Sequence, residues 1–190
     1  MNDGAPDKQK GDVLVEVKDM CKNFGVTVAL NHVDIQFKRG EIRGLIGENG
    51  SGKSTVSDLL AKSIEKCVHL RGDVFRKMII SGRENMSATP SAEAVRQLYL
   101  RYKLTADAAK SYFDKGFSVV IQDNYYGDEL NRMINYLHKY PVEVVVLCPD
   151  VETIKERERY REKTGYSGFT VETLYGHYPK FCVNLLSGVE

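Results

Sequence analysis

Apolar runs and helical stripes alternate along most of this chain. IRGLI (42–46), CVHL (67–70), FSVVIQD (117–123) and VEVVVLC (142–148) are largely apolar and short, and read as buried strands. Between them the period lengthens. Val56, Leu59, Leu60 and Ile64 mark one helical face beginning at Lys53, and GDVFRKMI reads as a polar turn and helix. Val95, Leu98, Tyr99, Tyr102, Ala106, Ala109 and Phe113 hold a long stripe that Gly116 stops. Thr89 as cap and Pro90 at the first helical position are expected to open that helix. Leu130, Met133, Ile134 and Leu137 share the face of a helix that Asp128 can cap and Tyr140-Pro141 ends, and Asp150 can cap VETIKERERYREK. Upstream, VLVEVKD (13–19) and VDIQF (33–37) read as strands, with NFG as the turn signal between them.

Continuous apolar strands alternating with amphipathic helices predict an α/β fold, a parallel sheet covered by helices on both faces. Residues 12–190 are expected to form one domain, with 12–41 as a small N-terminal β arm and 42–190 as its core. The polar start, MNDGAPDKQKG (1–11), reads as a disordered tail.

Composition narrows the setting. A hydrophobic share of 42%, a charged share of 28% and a net charge of +1 describe an ordinary globular protein, with no global field pointing to nucleic acid or a membrane surface. No apolar run approaches the ~18 residues a membrane helix needs, and the start lacks a secretory apolar segment. The four cysteines contain no C-x-x-C pair; Cys67 and Cys148 lie in strand-like runs as buried thiols, and Cys67 with His69 has no second pair to complete a zinc site. A reduced, cytoplasmic protein is expected.

The chemistry enters at GENGSGKST (47–55). Gly47-x-x-x-x-Gly52-Lys53-Ser54 fulfils the G-x-x-x-x-G-K-[ST] pattern, with the required strand before it and helix after it. Glycines let backbone N–H groups converge on phosphate oxygens, and the helix from Lys53 points its positive end at them. Lys53 is expected to meet the β and γ phosphates of ATP, Ser54 to bind Mg²⁺, and Glu48, Asn49, Gly50, Ser51 and Thr55 to complete the cradle. A P-loop NTPase fold follows.

Two resemblances meet at this loop. VKDMCKNFGVTVALNHVDIQFKRGEIRGLIGENGSGKST, within residues 13–56, resembles the start of an ABC transporter ATP-binding subunit, particularly of sugar importers. That resemblance implies that Phe24 stacks on adenine; a packing aromatic in a turn is the other reading. Downstream the ABC pattern stops. Asn124 follows Asp123 where that family has its hydrolytic glutamate, 70 positions between Lys53 and Asp123 leave no room for a helical subdomain, and LLSG (185–188) is only half a signature.

Residues 67 to about 174 instead resemble small P-loop kinases of the chloramphenicol phosphotransferase, zeta-toxin and polynucleotide-kinase kind. HLRGDVFRKMI, GFSVVIQDNYYGDEL and VVVLCPDVETIKERERYREKTGY carry the likeness. It implies that Asp73 takes the proton of an acceptor hydroxyl with Arg76 one turn on, that Asp123 lies near Mg²⁺, and that Arg157, Arg159, Arg161 and Lys163 belong to a lid whose YSGFT segment moves. Helix cap for Asp73 and solvated helix face for the arginines are the plainer readings; four-residue spacing favours Arg157 and Arg161 within the lid. The end, KFCVNLLSGVE, leaves little room for the kinases' closing strand and helix.

Three functions follow in order: a MgATP phosphotransferase acting on a small-molecule or nucleotide-like acceptor, an ATPase subunit with a membrane permease as partner, and a non-catalytic nucleotide-binding fusion product.

Overall fold

In the computed structural model, which describes residues 12–24, 27–38, 40–47, 49–126, 128–147, 149 and 151–159, the chain runs β1 (Val13–Phe24), β2 (Thr27–Lys38), β3 (Ile42–Gly47), α1 (Lys53–Ser63), β4 (Cys67–Arg71), α2 (Gly72–Lys77), α3 (Ala92–Phe113), β5 (Ser118–Asp123), α4 (Glu129–Tyr136), β6 (Val142–Leu147) and α5 (Val151–Arg159). Strands β4-β5-β3-β6 form one parallel sheet. β1 and β2 pair as a separate antiparallel hairpin. The sheet order explains the long connections, because a parallel neighbour can be reached only by a crossover.

The two-residue period of β3 and β5 divides the interior. Ile42, Ile46, Val119 and Ile121 join Tyr102, Ala106, Ala109, Phe113, Leu130, Met133 and Leu137 in one cluster beneath α3 and α4. Leu45 and Val120 face the other way, against Val56 and Leu60 of α1 and Ile35 and Phe37 of β2. The hairpin therefore covers part of the sheet with its apolar side. It is tied there by Arg43, whose buried guanidinium donates to the Gln36 carbonyl at 2.8 Å, lies 4.6 Å from the centroid of the Phe37 ring and pairs with Glu41 and Glu143. Burial pushes the Glu41 carboxyl up, more than the Lys38 amide and Arg43 pull it down.

Several local expectations shift. Both arm strands are twelve residues long, well beyond 13–19 and 33–37, because cross-strand pairing satisfies backbone groups at polar positions that alternation does not mark. Ser91, not Thr89, caps α3: its backbone is extended and its hydroxyl accepts from the Ala94 amide at 3.0 Å, which leaves Thr89 and Pro90 ahead of the helix. Asp128 stands at the start of α4 without a side-chain capping bond. Cys67 is half-buried, its thiol pushed up to about 11 by burial. The tail 1–11, Cys148, Asp150 and everything from 160 onward, including Arg161, Lys163, YSGFT and LLSG, lie outside the described residues.

A small apolar cavity of about 20 Å³ lies under α4, lined in part by Gly44, Ile121, Met133 and Val144. A Cβ on Gly44 would make ordinary contact with Val144 Cγ2 at 3.6 Å. Gly44→Ala is therefore expected to stabilise the fold by ~0.4–1 kcal/mol through the unfolded chain, raising the melting midpoint by ~1–4 °C. A lowered midpoint would mean that the sheet cannot accept the methyl group.

Candidate functional site

The loop between β3 and α1 sits at the carboxyl end of the sheet, where open α/β sheets bind ligands. Gly47 leaves β3 so close to the next turn that a Cβ would fall 2.6 Å from Ser51 Oγ. Gly52 caps α1 in the left-handed region at φ 92° and offers no side chain of its own to the first amides of the helix. Lys53 is buried at 7% exposure, Ser54 is exposed and Thr55 half-buried. Ser51 Oγ is buried with no hydrogen-bond partner.

Alternation along β5 decides what meets this loop. Asp123 continues the Val119–Ile121 face and points toward α3, where Arg101 Nη2 pairs with its Oδ1 at 3.2 Å and the Asn124 amide donates to the same oxygen at 2.8 Å. Its Oδ2 is buried and unpartnered. Burial pushes the Asp123 carboxyl up; Arg101, the Asn124 amide and Lys53 pull the other way without cancelling it. Gln122 continues the opposite face, and it is Gln122 Nε2, not Asp123, that bonds Ser54 Oγ, at 2.8 Å.

Strand β4 delivers the second acid. Its last residue is followed by Gly72, where any side chain would collide with the Asp123 carboxylate. This contact sets Asp73, at the start of α2, next to the buried Arg101–Asp123 pair, and both members of the pair feel its charge. Asp73 accepts from Arg76 Nε at 2.9 Å and pairs with Lys77 at 2.8 Å. Partial burial raises its carboxyl, but these two cations win and hold it below the ordinary carboxylate range. Arg76 also donates to Asn85 Oδ1 at 2.8 Å, which joins α2 to the segment before α3.

Two further contacts close on the loop. Asn124 Nδ2 donates to Asn49 Oδ1 at 3.3 Å, and Arg157 Nη1 of α5 donates to the Gly50 carbonyl at 2.7 Å. Gly47, Asn49, Gly50, Ser51, Gly52, Lys53, Ser54, Thr55, Asp73, Arg76, Asp123 and Arg157 thus gather at one end of the sheet. Phe24 ends β1, with its side chain outside the described residues, as are Glu48 and Arg161.

Arg101 and Gln122 join this constellation without having been singled out in the sequence, and His69, weighed there only as half a zinc pair with Cys67, joins it through Gln122. Arg101 carried one signal: it lies four residues before buried Thr105 and beside buried Tyr102, a charge on an otherwise inward-facing helical stripe.

A family model described as an AAA domain matches residues 44–174. The chain is 34% identical over 110 residues to a xylose import ATP-binding protein of Histophilus somni, a match covering 58% of this chain and 17% of that protein. It thus spans less than a fifth of that relative. Among solved structures it is similar to a chain of the Pnkp1/Rnl/Hen1 RNA repair complex, with a TM-score of 0.56, 20% identity and coverage of 73% of this chain and 43% of that one. A sugar kinase from Janibacter sp. HTCC2649 gives a TM-score of 0.53, 18% identity and coverage of 72% and 76%. These two similarities carry the fold, a P-loop NTPase sheet, and nothing finer.

Proposed function

The chain belongs to the AAA domain family of P-loop proteins, and from that premise we propose that it is a phosphotransferase that moves the γ-phosphate of MgATP to a hydroxyl of a small-molecule or nucleotide-like acceptor. The observation that carries this reading is Asp73. It is an acid held ionised by Arg76 and Lys77, set beside Asp123 and Arg101 by the close approach of Gly72, at the end of the sheet that holds the phosphate loop.

The residues present fit the nucleotide and its cation. Ser51 Oγ and Asp123 Oδ2 are buried polar atoms left without protein partners, and such orphans are costly unless something else meets them. Lys53 and the amides of 47–55 would hold the β and γ phosphates, with Ser54 and Asp123 on the Mg²⁺ side, directly or through water. When bound, Mg²⁺ would neutralise phosphate charge. Asp73 takes the proton of the acceptor hydroxyl as its oxygen bonds to the γ-phosphorus, while the bond from that phosphorus to the bridging oxygen breaks and ADP leaves. Arg76 orients Asp73, and Arg157, through Gly50, steadies the loop. Arg161 is proposed as part of the lid, and Phe24 as an adenine contact.

The likeness to a xylose import ATP-binding protein supports a second reading, an ATP-hydrolysing subunit that would work with a membrane permease. Asn124 weighs against it, because an amide occupies the place of the hydrolytic glutamate and is engaged with Asn49. ATP consumption measured against a panel of hydroxylated acceptors, antibiotics and nucleosides included, separates the two. Turnover that appears only with an acceptor supports transfer; acceptor-independent hydrolysis supports the subunit.

Both readings require the loop. Lys53→Ala removes the charge facing the phosphates, so MgATP affinity or turnover is expected to fall at least about tenfold, or ~1.4 kcal/mol. Calorimetric titration giving parental binding, together with parental turnover, would remove the loop from the site.

A further inference from the structure

Behind Ser54 runs a hydrogen-bonded chain that the transfer reaction as described does not use. Gln122 Nε2 meets Ser54 Oγ at 2.8 Å, and Gln122 Oε1 meets His69 Nε2 at 3.0 Å. His69 Nδ1 meets Asp58 Oδ1 at 2.9 Å, and Arg71 Nη2 reaches both oxygens of Asp58 at 3.1 Å. The placement follows from period. Ser54 and Asp58 are one turn apart on α1, and His69 and Arg71 share one face of β4. In the register of β4 with β5, Arg71 lies opposite Gln122 and His69 two residues before it. His69 is largely buried, with its side chain 12% exposed.

We propose that Gln122, oriented by His69 and Asp58, is a positioning residue that presents the Ser54 hydroxyl to a divalent cation. The proposal rests on the reading of Ser54 as the cation's hydroxyl. A serine hydroxyl has one proton and two lone pairs. To bind a cation it must turn a lone pair outward and give its proton to an acceptor behind it. The amide of Gln122 can offer either end, since half a turn about its last bond exchanges the places of oxygen and nitrogen and leaves every other heavy atom where it is.

His69 decides which end faces Ser54. The Asp58 carboxylate only accepts, so it holds the imidazole proton on Nδ1. The lone pair on Nε2 of that tautomer then accepts from the Gln122 NH₂ group, which turns the Gln122 carbonyl to Ser54. The carbonyl takes the hydroxyl proton, and the serine lone pairs face the cation. This is how second-layer partners fix a metal ligand. Arg71 fixes Asp58 in turn, so the chain starts from an anchored carboxylate.

The experiment measures how ATP affinity in the full chain depends on Mg²⁺ concentration, and compares it with ATP affinity in excess EDTA. Gln122→Leu is expected to raise the Mg²⁺ concentration needed for the half-maximal gain in ATP affinity by ~10-fold or more, with the EDTA affinity within about twofold of the parent. Gln122→Glu, which keeps an acceptor facing the hydroxyl, should restore the parental Mg²⁺ response. In a Ser54→Ala background Gln122→Leu should add nothing. His69→Leu should follow Gln122→Leu, and serves as the second variant if that protein folds poorly. A parental Mg²⁺ response in both Gln122→Leu and His69→Leu overturns the proposal, as does an equal loss with and without Mg²⁺. A parental response in Ser54→Ala overturns it too, and with it the role of Ser54 in the function proposed above; an unchanged response confined to Gln122 and His69 leaves that function standing.

Discussion

Asp73→Asn is expected to lower acceptor-dependent phosphate transfer by about 10²–10⁴-fold, which is roughly 3–5.5 kcal/mol of barrier, while ATP affinity stays close to parental. Asparagine keeps the size of the side chain, and its one carbonyl can still accept from Arg76 or from Lys77, which donate to different oxygens of Asp73. It cannot take the acceptor's proton. The two cations hold the carboxyl below the ordinary range, so the acid limb of the transfer rate should lie at lower pH than an unperturbed aspartate would give, and the variant should lose that limb. An ATPase subunit has no use for an acid here, and its basal hydrolysis would survive the change. Measured against an acceptor that supports turnover, full activity in Asp73→Asn would reduce Asp73 to the first-turn acid of α2 and sink the transfer mechanism.

The sheet, the phosphate loop and the order of strands and helices were legible because each rests on a strong local period or on a glycine pattern with one purpose. The role proposed for Asp73 rests on resemblance. Nothing in the spacing of G-D-x-x-R distinguishes a base from a cap, and the packing of Gly72 against Asp123 adds the neighbourhood of Asp73 that the spacing does not give. The kinase resemblance implies Asp123 near the cation; the alternation of SVVIQD adds that Gln122 bonds Ser54 while Asp123 pairs with Arg101. That division was present in the period of the strand. What was absent was the knowledge of which face carries α1 and which carries α3. His69 shows the same limit: beside Cys67 it invites a metal reading, and only the packing of β4 against α1 and β5 reveals Asp58 and Gln122 as its partners. Arm length was hidden for another reason, since backbone pairing along a hairpin does not require apolar side chains at every position.

Arg101→Met is expected to destabilise the fold by about 3–5 kcal/mol at neutral pH, because it leaves the Asp123 carboxylate buried without its cation. Methionine fills much of the same space, so the loss is electrostatic rather than a cavity. The pH dependence identifies the cause. Asp123 has its folded-state carboxyl raised by burial, so its stability contribution is fully present below the ordinary aspartate range near ~4 and is lost as pH rises through the raised folded value. Removing Arg101 raises that value further and extends the decline, so the deficit of Arg101→Met should shrink as the pH falls and Asp123 takes up a proton. Asp123→Asn removes the titrating group. In that background Arg101→Met should cost far less, since a neutral amide facing methionine carries no unpaired charge. Urea melts of the parent, both single variants and the double variant, at acid and neutral pH, give the whole cycle. A deficit for Arg101→Met that is equal at both pH values, and equal with Asn at 123, would show that Arg101 serves packing alone and that the charge of Asp123 is not held by it.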